Sequence, residues 1–194
     1  VNNATGNLVF TIPTLTSTDA LIPFTPALVY NSALASINYA FSNAQTAFSS
    51  TYMPLGFKLN INETLIKKSY TDETGTVKYL FVWADSDGTE HYFLQTSTAN
   101  TYEDEDGLLL TLVEDTSVCT ITDSGKNVKT FQKCSLHPVG TLSAWYLTEI
   151  TDKNGNKLVF EFDSSTRPIT VKLDPNGSSP AITQLQIAYN SNNR

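Results

Sequence analysis

The motif Asp-x-x-Gly occurs five times in this chain, and it constrains the fold more than any other feature. The copies are Asp72-Glu-Thr-Gly75, Asp85-Ser-Asp-Gly88, Asp104-Glu-Asp-Gly107, Asp152-Lys-Asn-Gly155 and Asp174-Pro-Asn-Gly177; a shortened sixth is Asp123-Ser-Gly125. Aspartate suits the first position of a type I turn, where its carboxylate accepts a backbone N–H. Glycine suits the fourth, where φ is often positive. A turn of this kind followed by a glycine bulge closes a short hairpin. Alternating apolar runs flank most copies. Val77, Tyr79, Phe81 and Trp83 share one face, with Leu80 and Val82 behind. Phe57, Leu59 and Ile61 alternate, as do Leu158, Phe160 and Phe162; Ile169, Val171 and Leu173; and Leu185, Ile187 and Tyr189. Leu108–Leu112 reads as a buried-strand run. Period-2 patterning with regular turn signals predicts an all-β protein of antiparallel hairpins in a curled sheet or sandwich.

One stretch breaks the pattern. Leu34, Ile37, Phe41, Ala44 and Phe48 follow helical spacing, with Ser32 available as a cap. A short helix near 33–48 is one reading, and a long Ser/Asn-rich loop is the other. Prolines 13, 23 and 26 confine the first strands to edges or short pieces.

The 194 residues suit one domain or one piece of a larger assembly. Charged residues make up only 16%, and Ser, Thr and Asn carry the polarity. The net charge is −7 and the 12 Lys and Arg are scattered, which argues against nucleic acid as a partner. No apolar run approaches the ~20 residues of a membrane helix. The chain opens mid-pattern at Val1-Asn-Asn-Ala-Thr-Gly6 with no signal peptide, as an excised fragment would. Its two cysteines, Cys119 and Cys134, flank the Asp123 turn. They could be bridged across one hairpin or stand as two buried thiols.

Tyr146–Asp163 aligns with the segment from Pro168 through Asp174-Pro-Asn-Gly177 to Tyr189. Each unit is strand, Asp-x-Asn-Gly turn, strand. Units this short must stack on neighbours to bury an apolar face. These paired units resemble YD repeats of the RHS (rearrangement hotspot) family. Asp85-Ser-Asp-Gly-Thr-Glu-His-Tyr-Phe93, Tyr102-Glu-Asp-Glu-Asp-Gly-Leu108, Val29-Tyr-Asn-Ser32 and Leu55-Gly-Phe-Lys-Leu59 resemble blocks ahead of the repeats in Gram-positive members. Where that family has Tyr-Asp followed by Gly-Arg-Leu, this chain has Phe162-Asp163-Ser-Ser-Thr-Arg167-Pro168. The resemblance divides the chain into a leading β-domain, 1–144, and the first hairpin repeats, 145–194. It implies a secreted or cell-surface, wall-associated bacterial protein. In such proteins stacked hairpins form a shell around a C-terminal cargo, often a toxin. The expected partners are the remaining repeats of the same polypeptide and a cell-surface glycan or protein.

No catalytic constellation stands out. Asp85, Asp87 and Glu90 are spaced like part of a calcium loop but lack its distal bidentate glutamate. Glu103-Asp-Glu-Asp106 reads as a solvated acidic turn. Glu90, Glu149 and Glu161 lie on strands with nothing to pair them for glycoside hydrolysis. His91 and His137 have no nucleophile elbow beside them. Trp83, Trp145, Tyr79, Tyr92 and Tyr146 could form a sugar-stacking platform or a core. Asn3, Asn62 and Asn176 head glycosylation-type triplets. The expectation is therefore a non-catalytic structural part with no cofactor and no metal, starting or capping a β-shell. A carbohydrate-binding β-module is the alternative.

Overall fold

The computed structural model describes residues 8–14, 21–35, 53–134, 143–165, 167–176 and 180–189. It is almost entirely antiparallel β. A three-stranded sheet is built from β1 (Val9–Pro13), β2 (Ala27–Asn31) and β3 (Phe57–Leu59), in that order. A single 3₁₀ turn, Ser32–Ala35, follows β2. The rest of the segment read as a helix near 33–48 lies outside the described residues, as do His137, Asn3 and Gly177.

Eight consecutive strands then run up and down. They are β4 (Thr64–Thr71), β5 (Val77–Ala84), β6 (Glu90–Gln95), β7 (Thr101–Asp104), β8 (Thr111–Glu114), β9 (Val118–Thr122), β10 (Val128–Lys133) and β11 (Ser143–Thr151). Each pairs with the next, and the first half of β11 returns to β4 through Ser143↔Lys67 to Tyr146↔Thr64. The result is a closed eight-stranded barrel. At this strand number the interior is just wide enough for side chains to fill. Leu65, Phe81, Phe93, Tyr102, Leu112, Cys119, Ile121, Phe131, Trp145 and Leu147 fill it, all buried. Phe81 packs edge-on against Tyr102, with ring centroids 4.8 Å apart, and lies 5.3 Å from Trp145.

The second half of β11 leaves the barrel seam. Glu149, Ile150 and Thr151 pair with β12 (Lys157–Phe162), which continues to β13 (Pro168–Asp174) and β14 (Ile182–Gln186). A register shift in the β10–β11 ladder, between Thr130 and Phe131, accompanies this divergence. The wing buries Leu158, Phe160, Val171 and Leu173 in one hydrophobic cluster with the barrel interior. The 144/145 division read from the sequence falls inside β11, which pairs with both parts.

The Asp-x-x-Gly turns form as the motif dictates at Asp72, Asp85 and Asp152. In each, the glycine N–H donates to the aspartate carbonyl, and the aspartate carboxylate gathers the N–H groups of the turn. Gly75, Gly88, Gly107 and Gly155 all have positive φ. Two readings need correction. Leu108–Leu112 is not a buried run: Leu108 and Leu109 are exposed, and the strand starts at Thr111. Asp104 holds that loop by accepting the Leu108 and Leu110 N–H groups, so its hairpin is wider than the others. The Phe57, Leu59 alternation also misleads. Lys58 is the buried residue of β3, between half-buried Phe57 and Leu59.

Candidate functional site

Lys58 marks the most unusual chemistry among the described residues. The interior face of β3 sits against the barrel end formed by the Asp85 turn, and it carries Lys58 there. The side chain is 0% exposed, and its Nζ donates to the Asp85 carbonyl oxygen. Among the described residues no carboxylate stands within ion-pair distance of it. An ammonium removed from water without a paired anion disfavours its charged form. Burial accordingly pushes the Lys58 pKa down to about 8, with the more distant charges of Glu63, Asp85 and Asp87 opposing the fall.

The other charged groups at this end are committed elsewhere. Glu63 is 3% exposed. It accepts two bonds of 2.7 Å from Lys129 Nζ and one of 2.9 Å from Trp83 Nε1. Lys129 also lies 4.6 Å over the Trp83 ring. His91 stacks on Trp83 at 4.9 Å and stands between two aspartates, 2.8 Å from Asp106 Oδ2 and 3.3 Å from Asp85 Oδ2. Asp85 Oδ1 takes the N–H groups of Asp87, Gly88 and Thr89 at 3.0 Å each. Burial, followed by the neighbouring Asp87, raises the Asp85 pKa. For Asp87, burial pushes up, but hydrogen bonds led by that from the Thr89 hydroxyl outweigh it and the net shift is downward.

Asn31, at the end of β2, completes the set. It is 1% exposed, its Nδ2 donates to the Asp87 carbonyl at 3.1 Å, and its Oδ1 accepts the Ala33 N–H at 3.0 Å. Register places Val29 opposite Lys58, so Asn31 is the diagonal neighbour of Lys58 on the same face. From the sequence, Asp85, Asp87, His91 and Asp106 read only as turn or structural residues, and nothing singled out Lys58, Asn31, Glu63 or Lys129. A lone polar residue between two apolar ones looks like an outward position; only the sheet packing shows otherwise.

At the opposite end of the barrel, Lys67 and Glu114 project inward and pair at 2.6 Å, and the Tyr102 hydroxyl donates to Glu114 at 3.1 Å. Lys67 lies 4.7 Å over the Tyr79 ring. Burial, reinforced by Glu114, pushes the thiol of Cys119 up to about 12. Cys119 and Cys134 are free and buried. Cys119 stands opposite Phe131 rather than Cys134, three residues away, which explains why the hairpin does not bridge them.

The five aromatics singled out from the sequence do not form one surface. Trp83 and Trp145 are buried inside the barrel, while Tyr92 is exposed and Tyr146 packs on Phe162 at 4.7 Å. Glu90, Glu149 and Glu161 each engage a partner of their own: Tyr92 donates to the first, Lys157 pairs with the second at 3.2 Å and Lys172 with the third at 2.5 Å. Among the described residues no cluster of His, Cys, Asp and Glu has metal-holding geometry. Family models and curated proteins were both compared with the chain, and none matches it.

Proposed function

We propose that this chain is a non-catalytic structural part of a secreted or cell-surface protein of the RHS/YD-repeat type, in which a sealed barrel starts a run of stacked hairpins. One observation carries this reading: β11 belongs to the barrel by its first half and templates the β12–β14 wing by its second. The wing's two repeat turns also interlock. The Asn176 N–H donates to Asn156 Oδ1 at 3.1 Å, and Asn176 Nδ2 donates to the Asn154 carbonyl at 2.6 Å. Each turn thereby supplies the docking groups for the next, as an extendable array requires. Among the described residues the outer edge of β14 pairs with nothing. An uncharged edge of this kind recruits another strand.

The test is self-association of the isolated chain. Light scattering across a wide concentration range should show dimers growing with concentration, and Gln184→Lys should suppress them. A strict monomer at every concentration would remove the support for an open array.

A second reading, a carbohydrate-binding module, is favoured by a cleft of about 440 Å³ where residues 21–23 face two hairpin turns. Asn127, Asp152, Lys153 and Asn154 offer polar groups there over Ile22 and Ile150, with no aromatic among the lining residues. Glycan-array binding abolished by Asn154→Ala would favour that reading over the first.

A further inference from the structure

A fully buried amine can react only with a group buried beside it, because no substrate from solvent reaches it. The neighbours of Lys58 narrow the choice. The Asp85 carboxylate is turned into its own turn and toward His91, and the Asp87 carboxylate accepts from Thr89. Glu63 is held by Lys129 and Trp83. The Asn31 amide is different. It lies on the adjacent strand, diagonal to Lys58, and both side chains donate to carbonyls of the same turn, Asp85 O and Asp87 O. Diagonal neighbours in an antiparallel pair are within reach of a long side chain.

We propose that Lys58 Nζ and Asn31 Cγ join in an intramolecular isopeptide bond between β3 and β2. The neutral Lys58 amine attacks Asn31 Cγ and forms the new C–N bond, while the carbonyl electron pair moves onto Oδ1. The Ala33 N–H, already donating to Oδ1 at 3.0 Å, stabilises that developing negative charge. The carbonyl re-forms, the Cγ–Nδ2 bond breaks, and one Nζ proton passes to Nδ2. Ammonia leaves, and no oxidant or cofactor is needed. The Asp87 carbonyl holds Nδ2 during the approach. Holding both partners in one buried site replaces a bimolecular encounter with a unimolecular step. The depressed pKa of about 8 supports the same chemistry. It leaves roughly a tenth of the amine neutral near pH 7, against about four parts in ten thousand for an ordinary lysine.

The test is the intact mass of the denatured full chain. The linked protein should be lighter than its sequence mass by one ammonia. A chymotryptic digest, which cuts after aromatic residues such as Phe41 and Phe48 between the two positions, should give a branched peptide joining the segments that carry Asn31 and Lys58. Lys58→Met and Asn31→Ala should each restore the full sequence mass. A wild-type chain at its full sequence mass overturns the proposal, and so does ammonia loss that persists in either variant. If the variants fail to fold, the wild-type mass and its branched peptide still decide.

Discussion

Gly155 holds φ at +84°, and a Cβ placed there would stand 2.9 Å from both Cγ and Nδ2 of Asn176. Two penalties therefore meet at one residue: the left-handed backbone, and displacement of the side chain that locks the next turn. Gly75 has the same φ class, +83°, with nothing within 4 Å of such a Cβ. Gly155→Val should lower the unfolding free energy by about 2–3 kcal/mol and Gly75→Ala by about 1 kcal/mol. Urea denaturation of both variants checks the order; equal losses would mean that the Asn176 contact contributes nothing. The aspartates of the turns make a second residue-scale prediction. Hydrogen bonds within their own turns, led by those from Thr74, Asn127 and Asn156, hold Asp72, Asp123 and Asp152 below the ordinary value of 3.8. A carboxylate depressed in the folded state contributes stability above its unfolded pKa and loses it as pH falls through the folded value. Urea midpoints should therefore fall with pH below about 4, and Asp152→Asn should make that fall shallower.

The β9–β10 hairpin shows how an element settles what its motif leaves open. Asp123-Ser-Gly125 looks like a shortened copy of the turn, but the structure gives a full one. The Lys126 N–H donates to the Asp123 carbonyl at 3.1 Å, and Lys126 rather than Gly125 takes the positive φ, at 68°. The element needs a left-handed residue at its fourth position because the strands it joins set the register Val128↔Thr122. Lysine meets that demand at a steric cost that glycine avoids. Lys126→Gly should stabilise the protein by about 1 kcal/mol, read as a raised thermal midpoint; a lowered midpoint would show that the Lys126 side chain matters more than its backbone. The Asp163 turn is another copy that the motif did not reveal. Asp163 N–H donates to the Arg167 carbonyl, and the Arg167 N–H returns to the Asp163 carboxylate, with no glycine in the segment. Aspartate followed by a five-residue return was the usable signal.

At the scale of the whole molecule, barrel and wing share one hydrophobic cluster that runs from Leu65 and Phe81 to Val171 and Leu173. Phe24 packs against Phe160 of the wing at 6.0 Å, tying the segment after β1 to the far sheet. This continuity predicts cooperative unfolding. Leu158→Ala, in the wing, should cost about 2–5 kcal/mol. It should shift the tryptophan fluorescence transition, which reports Trp83 and Trp145 in the barrel, together with the far-UV dichroism transition. Separate midpoints for the two signals would mean that wing and barrel unfold independently.

The sequence by itself determined the antiparallel β class, the positions of most hairpins and the left-handed glycines, because turn chemistry and period-2 patterning act between residues close in the chain. It could also show that Tyr146–Tyr189 is built of two like units, since each repeats the same local signal. Only the tertiary structure decided that eight strands close on themselves. Closure depends on β11 finding β4 across some eighty residues, Ser143↔Lys67, and no local pattern encodes that partner. It also decided which polar residues lie inside. Lys58, Asn31 and Glu63 carry no local mark of burial. Their environment comes from the packing of the three-stranded sheet on one barrel end, where distant segments jointly exclude water.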